Sequence, residues 1–367
     1  MNLRKNVGPN LALVLLIGVT VAISKSVREE RQAQLAAKSH ISVRILAGPE
    51  KEHLFSDAEL NRVLEAKGIS VVFQKAGVRE IANQADLKNF DVAFPAGEDA
   101  TVKIAQDTGS KRVYTAFYSP IAIASWKSLI PVLERNGLVS QHNGAYFIVD
   151  TEKLLALMEK GERWRDLPGN TAYPASKSML ITCADVRQTN SGAMYLALAS
   201  YLANGGNVVD NDADANRVAG RMVTLFSRQG FQEFSSTGPF EDYTAMGIGK
   251  APLVMIYEQQ FLEYILSHAN PNADMVLLYP QPTILSKHSI IALDDKGARF
   301  AEEMISDPKV ISIAQRYGFR TPDSSQLFAE VEAKKLAIPH TIVDVIDPPT
   351  YDILEKLINK VDEGLKQ

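Results

Sequence analysis

The chain has one cysteine in 367 residues, Cys183. A single thiol excludes an intrachain disulfide and a thiolate metal cluster. Inside the apolar run Met179–Cys183 it reads as a small buried hydrophobe rather than a reactive nucleophile. The six histidines, His40, His53, His142, His268, His288 and His340, show no metal-ligand spacing, and His53 and His288 are expected at the surface or in loops. H-E-x-x-H, G-x-S-x-G and P-loop signatures are all missing. No basic run interleaved with aromatics occurs and the net charge is -4, which argues against a nucleic-acid partner. No repeat or low-complexity tract is found. A hydrophobic share of 46% against 22% charged excludes a disordered chain. No catalytic constellation, metal or cofactor is therefore expected.

The length suits two domains rather than one core. At the N-terminus Arg4 and Lys5 precede an uncharged run, Leu11–Ser24, of signal-peptide length and shorter than a typical membrane span of ~20 residues. Ala22 and Ser24 suit a cleavage site after Ser24. Residues 1–24 are thus expected to be a signal peptide or an uncleaved anchor, and 25–40 a charged tether. Either outcome places the bulk of the chain outside the cytoplasm, secreted or anchored, with the membrane touched only through this segment.

The rest of the chain is organised around the stretch Ser178–Gly206. A strand over Met179–Cys183 is expected, then a polar loop over Ala184–Ser191, then a helix from about Gly192 to Ala203. Thr189, Asn190 and Ser191 are all helix-capping types, and a helix start presents unpaired N–H groups to an acceptor-rich ligand. The helix is apolar on every side, so it should be buried with only its start free. An ordinary capped core helix is the alternative.

Before it, Ile41–Ala47, Ile69–Phe73 and Phe90–Phe94 read as strands alternating with helices over Ser56–Lys67, Arg79–Asn89 and Asp99–Thr108. Alternation with short loops implies a parallel sheet, whose strand ends bind ligands. Val113–Trp126 is a long apolar run broken at Ser119-Pro120, expected as two strands crossing between domains. Beyond it come a helix over Ser128–Asn136, strand Tyr146–Val149, helix Thr151–Lys160 and, past the central stretch, helix Asp212–Gln229. Gly238–Met246 looks like a loop. Pro252–Ile256 repeats the strand, polar pair and helix pattern with Tyr257-Glu258 before helix Gln259–Leu266. Met275–Leu293, interrupted by Pro280 and Pro282, reads as the return crossing. Two helices fill Gly297–Arg320, ended by Gly318, and the tail holds a weak helix, a strand over Thr341–Ile346 and a helix after Asp347-Pro348-Pro349.

In this order of elements the chain resembles the type II periplasmic solute-binding proteins, the class that includes molybdate-, sulfate- and iron-binding receptors. The resemblance spans about Ile41–Pro322 and is sharpest at Pro252–Leu262 and at Phe300–Arg320, which ends on Tyr317-Gly318-Phe319. It implies an α/β fold of two lobes, each a mostly parallel sheet flanked by helices. Two crossing strands would join lobe one (41–119 and 283–367) to lobe two (120–282). It further implies a small-molecule ligand between the lobes and a membrane transporter, or else a sensor, as partner. Matching positions place the ligand against Gly48, Glu50 and Lys51, Arg79, Pro95 and Gly97, Ser119, Thr189, Asn190 and Ser191, and Tyr257 and Glu258.

The residue chemistry gives each a role and an alternative. Thr189–Ser191 would hydrogen-bond a small polar solute, or simply cap the helix. Glu258 would hold an amine or cation, or stabilise its helix start. Arg79 and Lys51 would neutralise an acidic ligand, or lie in solvent. Tyr257 would offer a ring or hydroxyl, or pack in the core. Pro49-Glu50-Lys51 replaces the small hydroxyl residues of oxyanion receptors, and Glu258 replaces the second tyrosine of iron receptors. The ligand is accordingly expected to be hydrogen-bonded rather than simply anionic.

Overall fold

A computed structural model describes residues 40–83, 86–230 and 232–366. The expected leader, 1–24, and nearly all of the tether lie outside the described residues. Nine strands are described: β1 (Ile41–Ala47), β2 (Ile69–Lys75), β3 (Val92–Phe94), β4 (Val113–Trp126), β5 (Val139–His142), β6 (Tyr146–Asp150), β7 (Val254–Tyr257), β8 (Met275–Gln281) and β9 (Leu285–Ala292). β4 is the spine. Its first half pairs with β9 and closes a sheet ordered β2-β1-β3-β9-β4; its second half pairs with β7 and β8 and opens another, ordered β7-β4-β8-β6-β5. The partner change falls at Pro120, which pairs with Leu285, and Ile121, which pairs with Tyr257. One continuous strand therefore makes the crossing where the sequence suggests two, because changing partners on both sides accommodates the proline without ending the strand. β8 and β9 make the return.

Each sheet is mixed rather than mostly parallel. β1 runs parallel to β2 and β3, and β6 to β8, while the crossing strands enter antiparallel to their neighbours. In the first sheet alternate side chains serve two cores, as the two-residue period requires. Val43, Ile45, Phe94 and Ile290 face one core; Leu46, Ala93 and Ile291 face the other. The second sheet shares one large core with the helix Asn190–Ala203, whose side chains are buried from Asn190 through Ser200. This helix lies at the centre of lobe two, as its all-round apolar sequence requires.

Several local expectations change. Met179–Cys183 is no strand: Thr182 makes a single parallel bridge to Val254 at the β7 edge. Ser56–Lys67 divides into Glu52–Ser56 and Ala58–Ala66, because Asp57 is the cap and accepts from the Glu59 and Leu60 amides. Arg79–Asn89 shortens to the helix Val78–Asn83 and a turn at Leu87–Asn89. Gly238–Met246 is a helix, started by Pro239 and anchored by buried Phe240 and Tyr243. The expected strand Thr341–Ile346 contributes only an isolated bridge from Val345 to Thr283.

The largest difference is the tail. The sequence reading places residues 321–367 with lobe one, yet Leu327, Val331, Leu354, Leu357, Ile358 and Val361 join the core of lobe two. The helix Tyr351–Leu365 lies against the helix Asp212–Ser227, and Lys356 pairs with Asp212. Its first turn also holds lobe one: Arg79 Nε donates to Glu355 Oε1 at 2.9 Å, and Asn83 Nδ2 donates to the Tyr351 hydroxyl at 3.0 Å. An apolar stripe at helical spacing found its partner across the chain, which the order of elements does not reveal.

Candidate functional site

The carboxyl ends of β1, β2 and β3 bring Gly48, Gly77 and Gly97 to one edge of lobe one. Facing them are the start of the helix Asn190–Ala203 and the end of β7. The opposing surfaces touch. A Cβ on Gly77 would stand 2.9 Å from the Gln188 carbonyl oxygen. One on Gly97 would stand 2.6 Å from Asp99 Oδ1 and 2.7 Å from Asn190 Oδ1. Gly97 also has φ +96°, a conformation L side chains rarely adopt. Beside this seam lies a cavity of about 390 Å³, lined among others by Gly48, Glu50, Gly77, Thr189, Asn190, Tyr257 and the segment 234–237. A wider groove of about 780 Å³ adjoins Asp99 from the other side, between the helix Glu98–Thr108 and residues 347–352.

Of the twelve residues singled out by sequence, Gly48, Glu50, Thr189, Asn190 and Tyr257 line the smaller cavity, and Gly97 forms its seam with Asn190. The rest are engaged elsewhere. Glu258 is completely buried in an ion pair with Arg320, whose Nε and Nη2 donate at 2.6 and 2.9 Å, and it accepts from the Tyr279 hydroxyl at 2.5 Å. Both carboxylate oxygens are thus occupied, which corrects the amine-binding role. Lys51 is also fully buried, paired with Glu50 and 4.7 Å from the Phe94 ring centre, and is not placed to neutralise a ligand. Ser119 Oγ accepts from the Gln259 backbone amide at 3.1 Å, holding β4 to the start of the helix Glu258–Ser267. Pro95 is buried under the seam.

Within the helix start, the three residues part company. Thr189 is the cap: its hydroxyl accepts from the Gly192 amide and donates to the Asp185 carbonyl at 2.9 Å, leaving it no proton to donate to a ligand. Asn190 donates from Nδ2 to the Tyr257 hydroxyl at 2.8 Å, and its Oδ1 has no partner. Ser191 Oγ is likewise buried without a partner. Burial pushes the Tyr257 phenol up, so it stays protonated.

Two residues of this region, His288 and Asp99, escaped sequence reasoning. His288 is buried on β9, not at the surface, with Nδ1 3.5 Å from Glu50 Oε1. Burial, with the nearby Lys51 charge, lowers it to about 4, so the ring is neutral. Burial works to raise Glu50, but Lys51 and His288 outweigh it and hold the carboxyl well below its usual range. Asp99 is buried with no side-chain donor on either oxygen; burial pushes it up, against the opposing charge of Arg79 and the backbone N–H groups of Ala100 and Asp99 itself. Arg79, in turn, is buried with Nη1 and Nη2 unpartnered. Asp99 stands in the first helical turn, where an acid reads as a partner of the helix dipole; only the convergence on Gly97 distinguishes it.

No family model matches the chain, and no curated protein sequence matches it. Solved structures do. A periplasmic thiamin-binding protein matches with a TM-score of 0.56 at 11% identity, covering 89% of this chain and 97% of the other. The periplasmic binding protein AfuA of Actinobacillus pleuropneumoniae, with fructose-6-phosphate bound, matches at 0.55 and 14%, covering 89% and 98%. Iron-bound HitA of Pseudomonas aeruginosa matches at 0.55 and 10%, covering 88% and 99%. Two sheets joined by β4 and the β8–β9 return, meeting at a polar seam, give this chain the two-lobed fold of the type II periplasmic binding proteins.

Proposed function

We propose that the chain is an exported solute-binding protein that captures a small polar ligand between its lobes and hands it to an ABC-type membrane transporter. The observation that supports this best is the pair of buried acceptors that meet at the seam with no side-chain donor, Asn190 Oδ1 and the Asp99 carboxyl. Buried polar groups are ordinarily satisfied, so such a pair beside a cavity calls for a ligand's donors. The reading is non-enzymatic. Burial pushes the Cys183 thiol up to about 12, and the buried carboxylate Glu258 is consumed by Arg320. Lobe closure about β4 and the β8–β9 return would follow ligand contacts that exist only in the closed state. The thiamin, fructose-6-phosphate and iron proteins show that the fold serves chemically diverse ligands.

Native mass spectrometry of the purified protein, followed by a thermal-shift screen over anions, cations, amino acids and sugars, tests the proposal. A bound ligand raises the midpoint by mass action. No shift from any solute class would sink it.

One observation favours a second reading, a membrane-anchored sensor or interaction protein on the same fold. The helix Tyr351–Leu365 is fastened to both lobes, through Glu355 and Tyr351 on one side and Leu357 and Val361 on the other. A radius of gyration that does not change when ligand is added would favour that reading over a shuttle.

A further inference from the structure

Acids outnumber bases at the seam once their partners are assigned. Lys51 is matched by Glu50, Lys75 by Glu52 at 2.9 Å, and Arg79 by Glu355 at 2.9 Å. That leaves Asp99, Glu80 and Glu241 with no ion-pair partner among the described residues. Glu80 and Glu241 line the smaller cavity and are exposed at its mouth, whereas Asp99 is buried at the seam. The charge gradient therefore runs inward along acids. An oxyanion entering there would meet like charge at each step.

Where the lobes meet at Gly97, two acceptors face each other. Asp99 Oδ1 and Asn190 Oδ1 converge on the same point above Gly97, both buried and neither paired with a side-chain donor. Two acceptors that close require an N–H or O–H between them. Turning the Asn190 amide over would let the Tyr257 hydroxyl donate to Oδ1 and Nδ2 donate toward Asp99, so a bound donor competes with that internal arrangement. A group with several N–H donors and a positive charge meets both needs at once.

Resting on the solute-binding reading, we infer that the ligand is a small organic cation, an amine or amidine whose charged nitrogen sits between Asp99 and Asn190 Oδ1. The Tyr257 hydroxyl and Asn190 fix one wall, and Gly97 is glycine because a side chain there would fill the place of the nitrogen. The unpartnered Nη1 and Nη2 of Arg79 lie close enough to act on Asp99 and suit a hydroxyl or carbonyl oxygen on the same ligand.

The test is a thermal-shift and calorimetric comparison of the mature protein against a library of amines, amidines and quaternary ammonium compounds, beginning with putrescine, agmatine and choline. Sulfate, molybdate and fructose 6-phosphate serve as anions and glucose as a neutral solute. At least one organic cation is expected to raise the midpoint by several degrees, and Asp99→Asn to weaken its binding tenfold or more. Removing a buried charge should leave the unliganded midpoint of Asp99→Asn equal or higher, an outcome a merely structural role would not produce. Should that variant fail to fold, Glu241→Gln at the exposed mouth is expected to weaken the cation about two- to fivefold, with the loss shrinking at high salt. A response only to an anion or to glucose would overturn the cation assignment while leaving solute binding intact. A response to no charge class would overturn solute binding itself. Cation binding unchanged in Asp99→Asn and Glu241→Gln would overturn the placement at this seam.

Discussion

Arg79 in lobe one donates from Nε to Glu355 Oε1 at 2.9 Å, although 276 residues separate them in the chain. Glue of this kind places the last helix across the cleft. The next turns of that helix, Leu354, Leu357, Ile358 and Val361, are buried in the core of lobe two. Sequence position alone would assign this helix to one lobe.

The tail should therefore be integral to stability. Leu357 is fully buried, and Leu357→Ala is expected to cost about 2–5 kcal/mol through lost transfer energy and a residual cavity. Urea unfolding followed by tryptophan fluorescence measures it. A loss below about 1 kcal/mol would mean that the helix is only loosely docked.

Gly97 controls how closely the lobes meet. Gly97→Ala combines a left-handed backbone with a side chain directed at Asp99 and Asn190. The expected strain is about 1–3 kcal/mol, relieved by separation of the lobes. Small-angle scattering should show a larger radius of gyration for the variant. An unchanged radius with unchanged stability would argue that the seam is not a tight contact.

The Glu258–Arg320 pair is structural. Arg320 also donates from Nη2 to the Pro339 carbonyl at 2.6 Å and so ties the tail to the start of the helix Glu258–Ser267. Arg320→Ala strands a buried carboxylate and is expected to lose about 3–5 kcal/mol in chemical denaturation. The replacement Glu258→Gln/Arg320→Met, which removes both charges, should recover much of that loss. Equal losses in the single and double variants would show that packing, not charge, is responsible.

His288 makes stability fall in mild acid. Its folded value of about 4 lies below the ordinary 6.5, so between those values the unfolded chain binds a proton that the folded chain refuses. Stability is unaffected above 6.5, declines as pH falls through this window and reaches its full loss below about 4. One such proton steepens the curve by at most about 1.4 kcal/mol per pH unit. Asp99, pushed up by burial, contributes the opposite slope, because a raised carboxyl favours the folded state at low pH. The contribution is therefore read as the difference between the wild type and His288→Leu, with the variant expected to show the flatter curve. Parallel curves would mean that His288 titrates normally in the folded chain.

Much of the secondary structure is legible without coordinates because its determinants are local. The strand at Ile41–Ala47 follows from a two-residue period, the start of Thr151–Lys160 from the capping types Asp150 and Thr151, of which Asp150 is the cap, and the stop after Pro308–Arg316 from Gly318 at φ +79°. The two crossings are legible too, since prolines at 120 and 282 interrupt otherwise apolar runs. Local reasoning fails where a residue's partner is remote. Thr189, Asn190 and Ser191 are interchangeable as cap types, yet only the fold makes Thr189 the cap and leaves Asn190 facing Asp99.

The sequence by itself determined the alternation of elements, the helix ends and the positions at which the chain crosses, because each depends on side chains a few residues apart. Only the tertiary structure decided the fate of the charges. Glu258 is neutralised because Arg320 is brought to it, and Lys51 because Glu50 folds over it in a dry core. Asp99 is left without an ion-pair contact although the Arg79 charge acts on it, because packing aims the Arg79 Nε at Glu355 and leaves Nη1 and Nη2 unpartnered. Coulomb energy and desolvation depend on distance and burial, which long-range packing sets and residue order does not.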